Sequence, residues 1–79
     1  MKIVHVEWID SHAPLDRGWH SIEDIQNTDD TCICYSVGYC LSSTDIWLTL
    51  LQTINSDSTE AFHPFKIPTK AIISLKELT

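Results

Sequence analysis

Two tryptophans bracket the segment WIDSHAPLDRGW, and between Trp8 and Trp19 the chain places Asp10, Ser11, His12 and Arg17. These residue types suit the capture of a nucleotide-like molecule. An aromatic ring stacks on a nucleobase, worth about 1–3 kcal/mol per base in single-strand binders. A guanidinium pairs phosphate oxygens bidentately, and an apolar wall with a few convergent polar groups is the usual makeup of a small-molecule site. The segment follows neither helical nor strand periodicity, so it reads as an irregular loop beginning where a first strand ends at Trp8. On that reading Trp8 lies on the core side of its strand, and Trp19, after Gly18, caps the fold or lies over a pocket. The competing reading is a loop ordered by its own Asx turns at Asp10 and Ser11 and by a Trp–Pro14 contact. Lys70, close to Lys66 in KIPTK, supplies a further positive charge that suits a phosphate.

Other constellations fall short of chemistry. Asp10, Ser11 and His12 contain the residue types of a hydrolase triad. Three consecutive residues do not place a histidine between nucleophile and carboxylate, and no G-x-S-x-G elbow is present. Cys32, Cys34 and Cys40 share one strand parity, but a C-x-C within a strand is expected to hold its thiols too splayed for shared coordination. Packing as small hydrophobes is the better account, and no metal site or cofactor is expected. The histidines His5, His12, His20 and His63 show no ligand spacing.

Composition narrows the class. Five Lys/Arg stand against eleven Asp/Glu for a net charge of −6. Binding to duplex DNA or to an anionic membrane through a broad surface is therefore not expected, because both depend on basic groups. An odd number of cysteines within nine residues (Cys32, Cys34, Cys40) is a poor disulfide framework and suits reduced thiols. The opening MKIVHVEWID lacks an apolar signal region, and no apolar run approaches membrane length. The expected location is the cytoplasm. The 79 residues make one small domain, 1–79, with a marginal core that self-association would help.

The elements that must position these residues are strands. KIVHVEWI alternates, with Val4, Val6 and Trp8 on one face. TCICYSVGYCLS sets Ile33, Tyr35, Val37, Tyr39 and Leu41 opposite Cys32, Cys34, Ser36, Gly38 and Cys40. DIWLTLLQTI follows after the turn SSTD, so these two form a hairpin. Two short strands flank Pro68, whose fixed φ suits a tight or 3₁₀ turn, with Ala71–Leu75 read as strand because Ile72 and Ile73 are β-branched. SIEDIQN is a helix of two turns at most, started by Ser21 and Asp24. About five strands and one short helix predict an all-β, SH3-like or Sm-like antiparallel β-barrel, with Gly38 allowing a bend or a close backbone approach.

Val6-Glu7-Trp8 with Asp10-Ser11, Gly18-Trp19, Ser36-Val37-Gly38-Tyr39, and Ile67-Pro68 with Ile72 together resemble a group of small uncharacterised bacteriophage proteins. Those share a V-E-W-x-D-S opening, a Gly-Trp pair, an S-V-G-[YF] strand and an I-P-K-x-x-I ending. Thr69 departs from the lysine of that ending, and Lys70 follows it. The resemblance implies phage origin and a compact β fold, and no reaction. With the residues above, it leads to the expectation of a non-enzymatic homo-oligomer that sequesters a nucleotide-derived host defence signal. Trp19 and Trp8 would stack on the base, Arg17 and Lys70 would hold phosphates, and Asp10, Ser11 and His12 would meet ribose or base edges. The alternatives are a protein-interaction module that inhibits a host protein, using the aromatic and Arg anchors that interfaces favour, and an Sm-like RNA-binding ring. The charge argues against the last.

Overall fold

The computed structural model describes residues 1–11, 18–27 and 31–79, with Ser11 and Thr31 described as backbone alone. Five strands and one short helix follow in the order β1 (Ile3–Ser11), α1 (Ile22–Asn27), β2 (Thr31–Ser43), β3 (Trp47–Ile54), β4 (Ala61–Pro68) and β5 (Ile72–Glu77). A 3₁₀ turn, Thr69–Ala71, joins β4 to β5. The strands form one antiparallel sheet in the order β4-β3-β2-β1-β5, as the all-β reading anticipates. No ladder joins the outer strands β4 and β5 among the described residues.

The sheet is nevertheless strongly curled. Phe65 of β4 meets Trp8 of β1 with ring centroids 5.7 Å apart, although β3 and β2 lie between those strands in the sheet. Val4, Val6 and Trp8, Leu48 and Leu50, and Ile67 form the buried core, with Cys34, Cys40 and Ile72 packed against it. The small-residue side of β2 therefore faces inward, and Ile33, Tyr35, Val37 and Leu41 face out and are exposed. Curvature explains the choice. The concave side of a curled sheet is crowded by the large residues of β1 and β3, so the strand between them carries small ones.

Gly38 sits at the tightest point. A Cβ there would lie 3.0 Å from the Leu51 carbonyl oxygen and 3.2 Å from the Leu50 Cβ. Only glycine lets the β3 backbone come this close, the approach expected of this position. A register shift between Cys40 and Ser42 lies beside it. Among the described residues, β3 beyond Leu51 pairs only with β4, and β2 from Thr31 to Gly38 pairs only with β1. The sheet thus divides like a Y.

The turns follow local chemistry. The Thr44 hydroxyl oxygen accepts the N–H groups of Ile46 (3.2 Å) and Trp47 (3.0 Å), so the hairpin turn is Thr44–Ile46, and β3 starts at Trp47. Asn55 Oδ1 accepts from the N–H groups of Thr59 and Glu60, both at 2.9 Å, and closes the β3–β4 turn. Ser21 Oγ accepts the Asp24 N–H at 3.1 Å, the N-cap that the sequence suggests for α1. Every residue of α1 is exposed.

Candidate functional site

β1 runs through Asp10 to Ser11, so the expectation of a loop starting at Trp8 is corrected: Asp10 and Ser11 are strand residues, not Asx-turn residues. The reason is tertiary. The register pairs Trp8 with Cys34, Ile9 with Ile33, Asp10 with Cys32 and Ser11 with Thr31, and the length of β2 carries the ladder past the apolar run.

A shallow pocket of about 440 Å³ lies where the end of β1 meets the 3₁₀ turn, lined by Trp8, Ile9, Asp10, Pro68, Lys70 and Ala71. Three of the candidate residues, Trp8, Asp10 and Lys70, thereby come to one place. The pocket offers one carboxylate and one ammonium against an apolar wall. β1 reaches this turn because it pairs with β5, Trp8 lying opposite Ile72 beyond a register shift at Glu7/Trp8.

Lys70 is set by the turn that carries it. Pro68, with φ −57°, leads into the turn. The Thr69 N–H donates to the Ile46 carbonyl at 2.9 Å, and the Thr69 hydroxyl donates to the Thr44 carbonyl at 2.8 Å. The 3₁₀ turn is thus tied to the β2–β3 turn. Lys66, opposite Thr49 on β4, is not among the pocket residues.

Trp8 forms the pocket's inner wall, and its ring is not a free stacking platform. It is 7% exposed, it touches Phe65, and its indole N–H donates to Ser36 Oγ at 3.0 Å. Trp19 is the opposite case. Its ring is fully exposed, so it does not cap the fold, and it lines neither this pocket nor the cleft below. It follows Gly18, whose φ of 126° suits glycine. His12 and Arg17 lie outside the described residues.

The cysteines correct another expectation. Cys32 and Cys34 Sγ atoms are 3.8 Å apart, so the C-x-C thiols converge rather than splay. Burial, then the Cys32 thiol, push the Cys34 thiol up from its ordinary value. Among the described residues no group of three or more His, Cys, Asp or Glu side chains gathers as metal ligands would.

One feature was invisible in the sequence. The divergence of β2 and β3 leaves a cleft of about 400 Å³ lined by Ser36, Val37, Leu50, Leu51, Gln52, His63, Pro64 and Phe65. Its signal would have been the end of the β2–β3 ladder at Leu51, which periodicity does not encode. No family model, curated protein or solved structure matches the chain.

Proposed function

We propose that this chain is a non-catalytic binding protein of phage origin that sequesters a nucleotide-derived small molecule, a host defence signal, as a homo-oligomer in the host cytoplasm. The observation that carries the reading is one pocket lined by Lys70 and Asp10 together with the apolar Trp8, Ile9, Pro68 and Ala71. An ammonium takes a phosphate as a point charge, and a carboxylate accepts from ribose hydroxyls or base N–H groups. The apolar wall takes a sugar edge or a base edge. Ser11, His12 and Arg17 follow Asp10 in the chain and are the remaining candidates for the rim.

Such a protein works by affinity and abundance, and a chain without a recognisable nucleophile–base pair suits that. No described helix is long and apolar enough to cross a membrane. The test is native mass spectrometry of the protein with a panel of cyclic dinucleotides and ADP-ribose derivatives. Retention of one of them, lost in Lys70→Ala, supports the reading; a protein that ignores all of them overturns it.

A second reading has its own observation. Trp19, Ile22 and Ile25 are all exposed, Trp19 fully, and Ile22 and Ile25 share one face of α1 by their spacing. This group suits docking onto a host protein, with Trp19 as anchor. Capture of a defined host protein that is lost in Trp19→Ala would favour it.

A further inference from the structure

We infer that two copies of this chain join by antiparallel pairing of β2 with β2, through the free edge of residues 33–37. The inference deepens the homo-oligomer part of the proposed function by naming its seam.

The backbone dictates which groups are available. The Cys40 N–H donates to the Lys2 carbonyl at 2.8 Å, and the β1–β2 register continues without a shift from Ile3↔Tyr39 to Ser11↔Thr31. Antiparallel ladders alternate between hydrogen-bonded and non-bonded pairs. The even-numbered residues of β2 therefore bond to β1, and the N–H and C=O groups of Ile33, Tyr35 and Val37 point the other way. On that side β3 is paired only from Tyr39 onward, so among the described residues no strand meets these three.

An open edge is a template for another strand. The two outer strands of the sheet carry obstacles. β4 contains Pro64 and Pro68, which lack an N–H, and His63 with a φ of 55°. β5 is six residues long and carries Lys76 and Glu77. The free part of β2 contains no proline and no charged residue.

Charge is compatible with a second copy. Two chains of net charge −6 repel at long range, which salt screens, and the seam adds no like charges to that, because β2 is a strand of 13 residues without one Asp, Glu, Lys or Arg. The sequence is also complementary to itself. With Tyr35 facing its own copy across a two-fold axis, Ile33 falls opposite Val37 on the outer face and Cys34 opposite Ser36 on the inner face. Apolar meets apolar and small meets small. The three residues on each copy then form about six backbone hydrogen bonds. Ile33, Tyr35 and Val37, 42%, 65% and 57% exposed, lose water together. In this register Ile33 of the second copy falls beside Val37, at the mouth of the cleft lined by Val37, Leu51 and Gln52.

The test is the mass of the purified full chain without ligand, by analytical ultracentrifugation across the micromolar range. The expected result is twice the 9.0 kDa of one chain. Tyr35→Pro removes one outward N–H and spares the bonds to β1, so it should weaken association at least tenfold. Ile33→Lys, at an exposed position, places like charges near the seam and should do the same. Circular dichroism reports whether each variant stays folded. Protection of the Ile33, Tyr35 and Val37 amides from hydrogen exchange, rising with protein concentration, would support the seam. A wild-type chain that stays at 9.0 kDa, or folded variants that still pair as wild type does, would overturn it. A monomer that still retains a nucleotide would overturn the seam and leave the Lys70 pocket standing. A dimer that retains none would do the reverse.

Discussion

The Trp8 indole N–H donates to the Ser36 hydroxyl at 3.0 Å, diagonally across the β1–β2 ladder from the Trp8–Cys34 pair. This bond fixes the ring that serves both as core and as pocket wall. Ser36→Ala leaves the indole N–H without its partner and should cost about 1 kcal/mol, read as a lower urea midpoint with an unchanged slope. Trp8→Ala removes the largest side chain of a small core and should cost roughly 3–5 kcal/mol, enough to abolish folding in a domain of this size.

Gly38→Ala tests the crossing of β2 and β3. The added methyl meets a backbone carbonyl that has no rotamer with which to move away. Destabilisation of about 1–3 kcal/mol is expected, the ordinary range for overpacking. Thermal melts of the variant would show it, and an unchanged midpoint would mean that the strands can part there at no cost.

In the pocket, Lys70→Ala should weaken retention of an anionic nucleotide by about tenfold or more, the loss of one charge-assisted hydrogen bond. Lys66→Ala, outside the pocket lining, should leave it unchanged. Isothermal titration of both variants separates a placed ammonium from a general effect of net charge.

Asp57 gives a pH prediction. The Thr59 hydroxyl donates to Asp57 Oδ1 at 2.6 Å, and this bond, then the Thr59 N–H, hold the carboxyl below its ordinary value. A carboxylate depressed on folding stabilises the native state above its unfolded value, and that contribution is lost as pH falls through the folded value. An NMR titration should find Asp57 below a pKa of about 3.9, and Thr59→Val should bring it back toward that figure.

Much of this architecture can be read from residue types. The alternation of Val4, Val6 and Trp8 marks β1 and its core face, Pro68 marks the 3₁₀ turn, and Ser21 marks the start of α1. Other features depend on partners distant in the chain. Asp10 and Ser11 are strand only because β2 is long enough to reach them. β2 turns its small residues inward, against the usual preference for burying large apolar ones, because curvature leaves no room for more. Asp10 and Lys70 meet through the β1–β5 pairing, and no spacing in the chain announces it. Trp19 reads as a pocket residue by type, yet its ring stands fully in solvent.

The Thr69–Thr44 tether has a consequence for binding strength. Lys70 sits on a turn held by bonds to the β2–β3 hairpin, and neither Thr44 nor Ile46 lines the pocket. The backbone beneath the ammonium is already ordered before any ligand arrives, so binding need only still the side chain itself. Preorganisation of this kind raises affinity without adding a contact. It also makes Thr44, which does not line the pocket, a place where a single change should loosen the turn that carries Lys70.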